Sequence, residues 1–330
     1  MKNIGIIISA LVIFISVSCI NRQNASDTNN VSGELKIIHA GSMSVPVKLI
    51  ANDFMEKYPD IKILTEAWGS KAGARRITDL NQDCDVYISA DYKIIDELLI
   101  PEYADWTIKF AGNEMAIVYT DNSKYSEIIN SDNWYEVLFY DDVIFARSDP
   151  DSDPCGYRAV IVAELAEEFY NIQGYKNKIL TSHLNYIRPK ETDLIAFLEQ
   201  GEVDYIFLYR SVAEQHQLNY IKLPDEINLR NPDYDSLYAK ASVEVNGKKP
   251  GEKITEYGEA MVYGITIPRT AKNKKAALEF VKFFLSYETG QKIIEDQGQT
   301  SLVPTVSSSY DNVPEVLQKF CQPMELNAEK

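Results

Sequence analysis

The chain has 330 residues, 45% of them hydrophobic and 25% charged, which suits a globular protein large enough for two lobes. Its formal net charge of -16 argues against nucleic-acid binding, because phosphate contacts need clustered Lys and Arg. The same charge repels anions at long range, so any anionic ligand has to be caught by local donors.

Lys2 is followed by an uncharged, mostly apolar run from Ile4 to Val17 and then by Ser18-Cys19. That run falls short of the ~20 apolar residues of a spanning helix, yet it fits the apolar core of a secretion signal with a small residue before the cut. Residues 1–18 are therefore expected to be a signal peptide. Cys19 stands where a lipidated N-terminal cysteine would be left. Val17 and Ser18 are similar to a bacterial lipobox, while Ser16 replaces its usual large aliphatic residue; the alternative is an ordinary signal cut nearby. Two or three acyl chains, at roughly 0.8 kcal/mol per buried methylene, would hold the protein on a membrane surface. Residues 19–33 then read as a lipid-anchored Cys and a polar, flexible tether, with folding beginning near Glu34. The expected location is the cell envelope, facing the periplasm or the extracellular side.

Strands and helices alternate from there, the pattern of α/β lobes with mainly parallel sheets. A strand over Leu35 to His39 runs into Gly41-Ser42, and Pro46 with Val47, Ile50 and Phe54 at helical spacing marks a helix that starts at this loop. A second strand, Ile61 to Thr65, leads into Gly69-Ser70, and Ala74 to Leu80 reads as the next helix. Asp85 to Ser89 is strand-like, and Ala90-Asp91-Tyr92 opens a helix through Leu99. Met115 to Tyr119 is an apolar strand able to carry the chain to a second lobe. There Val143 to Ala146 precedes Asp153-Pro154, an N-cap then N1 signature, and a helix from Val160 to Tyr170. Tyr186 to Arg188 turns at Pro189-Lys190-Glu191 into a helix from Leu194 to Gln200, and a strand from Asp204 to Tyr209 follows. Gly264 to Pro268 brings the chain back, and Asn273 to Tyr287 is an amphipathic helix. The expected boundaries are 34–113 for the first part of lobe 1, 114–267 for lobe 2 with the hinge crossings, and 268–330 for the return. Lobes joined by two crossings hinge and close around ligands.

Ser42, Ser70, Cys155 and Glu191 each fall at or just before a helix N-terminus, where unpaired N-H groups and the helix dipole favour an anion. Taken singly, each has a plainer role: the serines and Asp153 as caps, Cys155 as a small buried residue, Glu191 as a solvated acid, Tyr209 as core packing. Their joint placement, with two loops from each lobe, is what points to an oxyanion held between them.

Several blocks carry a more specific likeness. They include His39-Ala40-Gly41-Ser42 with Ser44-Val45-Pro46, Gly69-Ser70 with Ala74-Arg75, and Asp153-Pro154-Cys155-Gly156-Tyr157-Arg158. Arg188-Pro189-Lys190-Glu191-Thr192-Asp193-Leu194, Leu208-Tyr209-Arg210-Ser211 and Val262-Tyr263-Gly264-Ile265-Thr266-Ile267-Pro268 continue the series, which spans Leu35 to about Pro304. In these blocks the chain resembles the WtpA-type tungstate- and molybdate-binding proteins, the substrate-binding components of ABC importers. The resemblance implies a two-lobed, type II periplasmic-binding-protein-like α/β fold, with mixed sheets flanked by helices and the ligand cleft between the lobes. It implies oxyanion-binding residues at Ser42, Ser70, Cys155 and Tyr209, metal-ligating carboxylates at Asp153 and Glu191, no cofactor, an importer permease as partner, and a monomer. The chain departs from the pattern in a shorter segment between Leu180 and Arg188 and in Lys71-Ala72-Gly73, the latter close enough to the anion to alter affinity.

Carboxylates in a dianion site would repel sulfate or phosphate. Against tungsten or molybdenum in the highest oxidation state, each can become an oxygen ligand to the metal centre, so the pair would attract one class and discourage the other. The alternatives are a binder of sulfate, of phosphate through Asp153 and Arg158, or of ferric iron through converging tyrosines. An enzyme using Cys155 as thiol nucleophile with His216 as base lacks an orienting third group, so the expectation is a binding protein. Cys84, Cys155 and Cys321 are odd in number and far apart, which gives no disulfide framework.

Overall fold

The computed structural model describes residues 31–247, 249 and 251–324. The signal peptide, Cys19 and most of the tether expected from the sequence lie outside these residues. Among the described residues no helix is long and apolar enough to cross a membrane.

Strand β1 (Gly33–Ala40) pairs in parallel with β2 (Ile61–Trp68) on one side and β3 (Val86–Ser89) on the other. β4 (Ile108–Gly112) leads out to a second sheet made of β5 (Met115–Tyr119), β6 (Phe145–Ala146), β7 (Tyr205–Tyr209) and β8 (Asn219–Lys222), in the order β6-β7-β5-β8. A hairpin of β9 (Ser242–Asn246) and β10 (Lys253–Tyr257) follows. β11 (Val262–Thr266) and β12 (Thr300–Ser301) then complete the first sheet, β12-β4-β11-β3-β1-β2.

Both sheets are mixed, which corrects the mainly parallel arrangement read from strand and helix alternation. β11 runs antiparallel to β3 and β4, and β5 runs antiparallel to β7 and β8, leaving only β6–β7 parallel in the second sheet. The outgoing strand β4 keeps the direction of β1, β2 and β3, and the returning β11 inserts antiparallel between β3 and β4. By sheet membership the return comes at Val262, inside what the sequence assigned to the second lobe.

The directions matter because they gather loops. β1, β2 and β3 are parallel, so the Gly41-Ser42, Gly69-Ser70 and Ala90-Asp91 turns all leave one rim of the first sheet. In register, Ala40 pairs with Trp68, which sets the two Gly-Ser loops level. In the second lobe, parallel β6 and β7 send the 148–154 loop and Tyr209 to a common rim, where ligands of open α/β sheets sit.

Packing holds these rims rigid. All five residues of β7 are buried, as in a strand covered on both faces. The helix Pro154–Phe169 begins at the loop after β6 and buries 12 of its 16 residues. The amphipathic helix expected near the C-terminus is Lys274–Leu285, capped by Asn273, whose side chain accepts from the Ala276 N-H. Its Phe280 packs edge-on to Phe54 of the helix Ser44–Lys57, ring centroids 5.3 Å apart. Burying each such side chain is worth about 1.5–3 kcal/mol.

Candidate functional site

The first lobe contributes two hydroxyl groups, each already accepting one hydrogen bond. Ser42 lies in a short 3-10 turn leading into the helix Ser44–Lys57 and is buried. The Tyr263 hydroxyl donates to its Oγ at 3.0 Å, and Asn113 Nδ2 donates to the Tyr263 oxygen, also at 3.0 Å. Ser70 opens the helix Ser70–Thr78, one turn earlier than the sequence reading began it, and its Oγ accepts from the Ala90 N-H at 3.0 Å. Each serine thus has an acceptor position filled and its own O-H left to donate.

The second lobe brings the carboxylates. Asp153 occupies the N-cap position of the helix Pro154–Phe169, yet makes no side-chain capping bond. Its Oδ2 instead accepts from the backbone N-H of Glu191 at 3.1 Å. Glu191, in the turn before the helix Asp193–Glu199, is fully buried, and neither carboxylate oxygen has a hydrogen-bond partner. Buried polar oxygens are seldom left this way in native proteins. The Asp153 carboxyl group and the Ser42 amide face Glu191 at longer range and act on it in opposite senses. Burial drives both acids up, Asp153 to about 6, where the Ser148 hydroxyl, the Glu191 carboxyl group, the Cys155 N-H and the more distant Arg158 oppose the rise. Glu191 is raised further, by burial first and then by the charge of Asp153.

The two sets of groups meet because the lobes are closed on each other. A Cβ added to Gly41 would sit 2.9 Å from Glu191 Oε2, and one on Gly69 would sit 2.5 Å from the carbonyl oxygens of both Pro189 and Ser152. The Ala72 N-H donates to the Ser152 carbonyl at 3.2 Å. Ser42, Ser70, Asp153, Cys155, Glu191 and Tyr209 are all at most 1% exposed. Tyr209 ends β7, its hydroxyl accepting from Arg158 Nη1 at 3.1 Å, which leaves its hydrogen to donate.

Cys155 does not have the features of a nucleophile. Its thiol is directed to the Phe207 carbonyl at 3.6 Å, and burial, with the charges of Asp153 and Glu191, pushes its pKa well above the usual range. His216 lies elsewhere, lining a groove of about 320 Å³ with Gly41, Ser44, Thr192 and Ile195. Lys71, in the segment expected to lie close enough to the anion to alter affinity, is paired with Glu256 at 2.8 Å. Arg158 pairs with Asp91 across the cleft rather than serving with Asp153 as a phosphate clamp. Two participants escaped sequence reading, Tyr263 and Asn113. Tyr263 lies in one of the blocks that carry the family likeness and Asn113 at the end of the first part of lobe 1, but nothing local distinguishes a hydroxyl that will meet Ser42, or an amide that will meet that hydroxyl, from far along the chain.

A model of the bacterial extracellular solute-binding protein family matches residues 35–300. The chain belongs to that family. It is 48% identical to an uncharacterized solute-binding protein of Petrotoga mobilis, over 88% of this chain and 91% of that one. It is 39% identical to the molybdate/tungstate-binding protein WtpA of Pyrococcus abyssi (94% and 96% covered) and 36% identical to that of Thermococcus kodakarensis (99% of each). Among solved structures, the periplasmic molybdate-binding protein of Azotobacter vinelandii matches with a TM-score of 0.55 at 16% identity, covering 81% of this chain and 98% of that one. The sulfate-binding protein SubI of Mycobacterium tuberculosis H37Rv matches with a TM-score of 0.58 at 13% identity, covering 88% and 92%. The fold is thus that of two-lobed periplasmic binding proteins.

Proposed function

We propose that this solute-binding protein captures tungstate or molybdate between its lobes and delivers it to an ABC importer. The observation that carries the reading is the Glu191 carboxylate, buried without a hydrogen-bond partner beside a second buried carboxylate. Among the described residues no group of three or more His, Cys, Asp or Glu could hold a metal ion, so two carboxylates are too few for a bare cation. They suit a metal centre that arrives with its own oxygens. Four oxo groups plus Asp153 and Glu191 make six ligands, while Ser42, Ser70, the Cys155 amide and Tyr209 donate to the oxo groups. Sulfur accepts no such ligands and would meet only repulsion. The relatives named for molybdate and tungstate in Pyrococcus and Thermococcus support the same choice.

X-ray absorption at the metal edge of the bound protein is the test, with six metal-oxygen distances expected. Asp153→Ala and Glu191→Ala should each weaken tungstate far more than sulfate. Wild-type sulfate should bind at least roughly a thousandfold more weakly than tungstate, about 4 kcal/mol. A tetrahedral spectrum, or equal losses for both anions, defeats the reading. Cys19 is proposed as the lipid attachment site on the strength of its sequence context alone, which mass spectrometry of the membrane-extracted protein would check.

A further inference from the structure

Behind the anion-facing residues lies a second set of buried charges that the binding chemistry does not use. Asp91 follows β3 in the first lobe, and Arg158 stands on the Pro154–Phe169 helix of the second. Arg158 Nη2 lies 3.3 Å from Asp91 Oδ2, with both side chains at most 4% exposed. Arg158 Nη1 also donates to the Ala90 carbonyl at 2.8 Å, and the Tyr157 hydroxyl donates to Asp91. Beside them Lys71 of the first lobe meets Glu256 of the β9–β10 hairpin at 2.8 Å, with side-chain exposures of 3% and 10%. The hairpin belongs with the second lobe, because the Ser242 N-H donates to Glu164 and the Asn246 N-H to Asp151. The Lys71 ammonium also lies 5.2 Å from the centre of the Tyr157 ring.

Each lobe therefore supplies one cation and one anion, and each charge finds its partner on the opposite lobe. Only the closed arrangement satisfies them, since parting the lobes returns all four to water. The network also touches the anion site from both sides. Ala90 accepts from Arg158 through its carbonyl and donates through its N-H to Ser70 Oγ, while Arg158 Nη1 fixes the acceptor side of the Tyr209 hydroxyl.

We propose that Asp91, Arg158, Lys71 and Glu256 are positioning residues forming an interlobe latch, which slows anion release by making the closed state the only one in which these buried charges and the Ser70 and Tyr209 hydroxyls are jointly satisfied. The inference rests on capture of an anion between the lobes. A buried pair gains little over its desolvation cost, so the latch adds modestly to closure as a whole. Removing one member, however, strands its partner in the closed protein, and such losses appear in the dissociation rate.

The test follows tungstate release and small-angle scattering for the full chain as wild type, as Asp91→Asn, and as the double variant Asp91→Asn/Arg158→Gln. Asparagine keeps an oxygen for the Lys93 N-H that Asp91 caps. Release from Asp91→Asn should rise at least roughly thirtyfold, with association changed less than about threefold. The double variant should recover part of the loss, because no charge is left alone. Wild-type release in Asp91→Asn overturns the latch, and so does a double variant that releases tungstate no more slowly than Asp91→Asn. If Asp91→Asn does not fold, Glu256→Gln on the exposed hairpin replaces it under the same expectation, and unchanged release again overturns the proposal. Should the wild type neither bind tungstate or molybdate nor compact with them, the functional reading fails. The latch is then judged by the ligand-free radius of gyration: a larger radius in Asp91→Asn sustains it, and an equal one rejects it.

Discussion

Asp153 and Glu191 face each other in a site where the buried guanidinium of Arg158 is already engaged by Asp91. Because burial raises both acids, the folded ligand-free chain holds their protons more tightly than the unfolded chain, whose carboxylates titrate near ~4. The stability contributed by these protons is therefore fully present below ~4. It is lost as pH rises through about 6 for Asp153, and Glu191, raised by burial and by the charge of Asp153, acts in the same direction. Thermal unfolding of the ligand-free protein should show wild type losing ground to Glu191→Gln as pH rises above ~4. Under the proposed coordination the metal centre needs bare carboxylates, so tungstate affinity should weaken as pH falls through about 6, and binding there should release protons. Calorimetry in buffers of different ionisation enthalpy measures that release. Parallel unfolding curves together with no proton release would show that the two acids do not titrate as a buried pair.

Elements act on the site through how closely their turns approach. The loop after β2 meets the second lobe at Gly69, whose backbone angles, φ -58° and ψ 136°, any residue can adopt. Its lack of a side chain therefore serves closure alone. Gly156 is tight for a different reason: a Cβ there would lie 2.5 Å from the Asp149 carbonyl carbon and 2.6 Å from Pro150 N, all within the second lobe. Overpacking costs of about 1–3 kcal/mol are expected for either alanine, but they should appear in different measurements. Gly69→Ala should weaken tungstate binding while leaving the unfolding midpoint of the ligand-free protein nearly unchanged. Gly156→Ala should lower that midpoint. A Gly69→Ala protein with normal affinity would mean that the loops need not approach so closely when the anion is bound.

At the scale of the whole molecule, two opposed effects govern capture. The crossings at Asn113 and Tyr263 are tied together, since Asn113 Nδ2 donates to both Ser211 Oγ and Tyr263, and Tyr263 continues the path to Ser42. Closure and the first-lobe donors are thus mechanically joined. Small-angle scattering should show a smaller radius of gyration with tungstate than without, and an identical radius would indicate a preformed pocket. The net charge of -16 acts before closure by repelling a dianion over roughly a Debye length. Raising ionic strength should therefore speed association. Stopped-flow rates that fall with salt would place an attractive patch at the cleft mouth instead.

What the sequence determined by itself was local: the Gly-Ser turns after β1 and β2, the Pro46 helix start, the Asp153-Pro154 entry to a helix and the amphipathic C-terminal helix. Spacing, capping residues and breakers act over a few positions, so one segment suffices to read them. The lengths of those helices shifted by a few residues, because the packed ends rather than the periodicity decide where a helix stops. Strand direction in both sheets was decided only by the folded chain, since alternation of strands and helices carries no information about which partner a strand meets. The candidate site divides in the same way. Its loops were legible, but Asp153 reads as an ordinary cap until the fold brings the Glu191 N-H, 38 residues on, to its carboxylate. Tyr263 meets Ser42 across 221 residues of chain, and Arg158 meets Asp91 only when two lobes close. Contacts of that kind depend on long-range packing geometry, which leaves no periodic trace in the segments that make them.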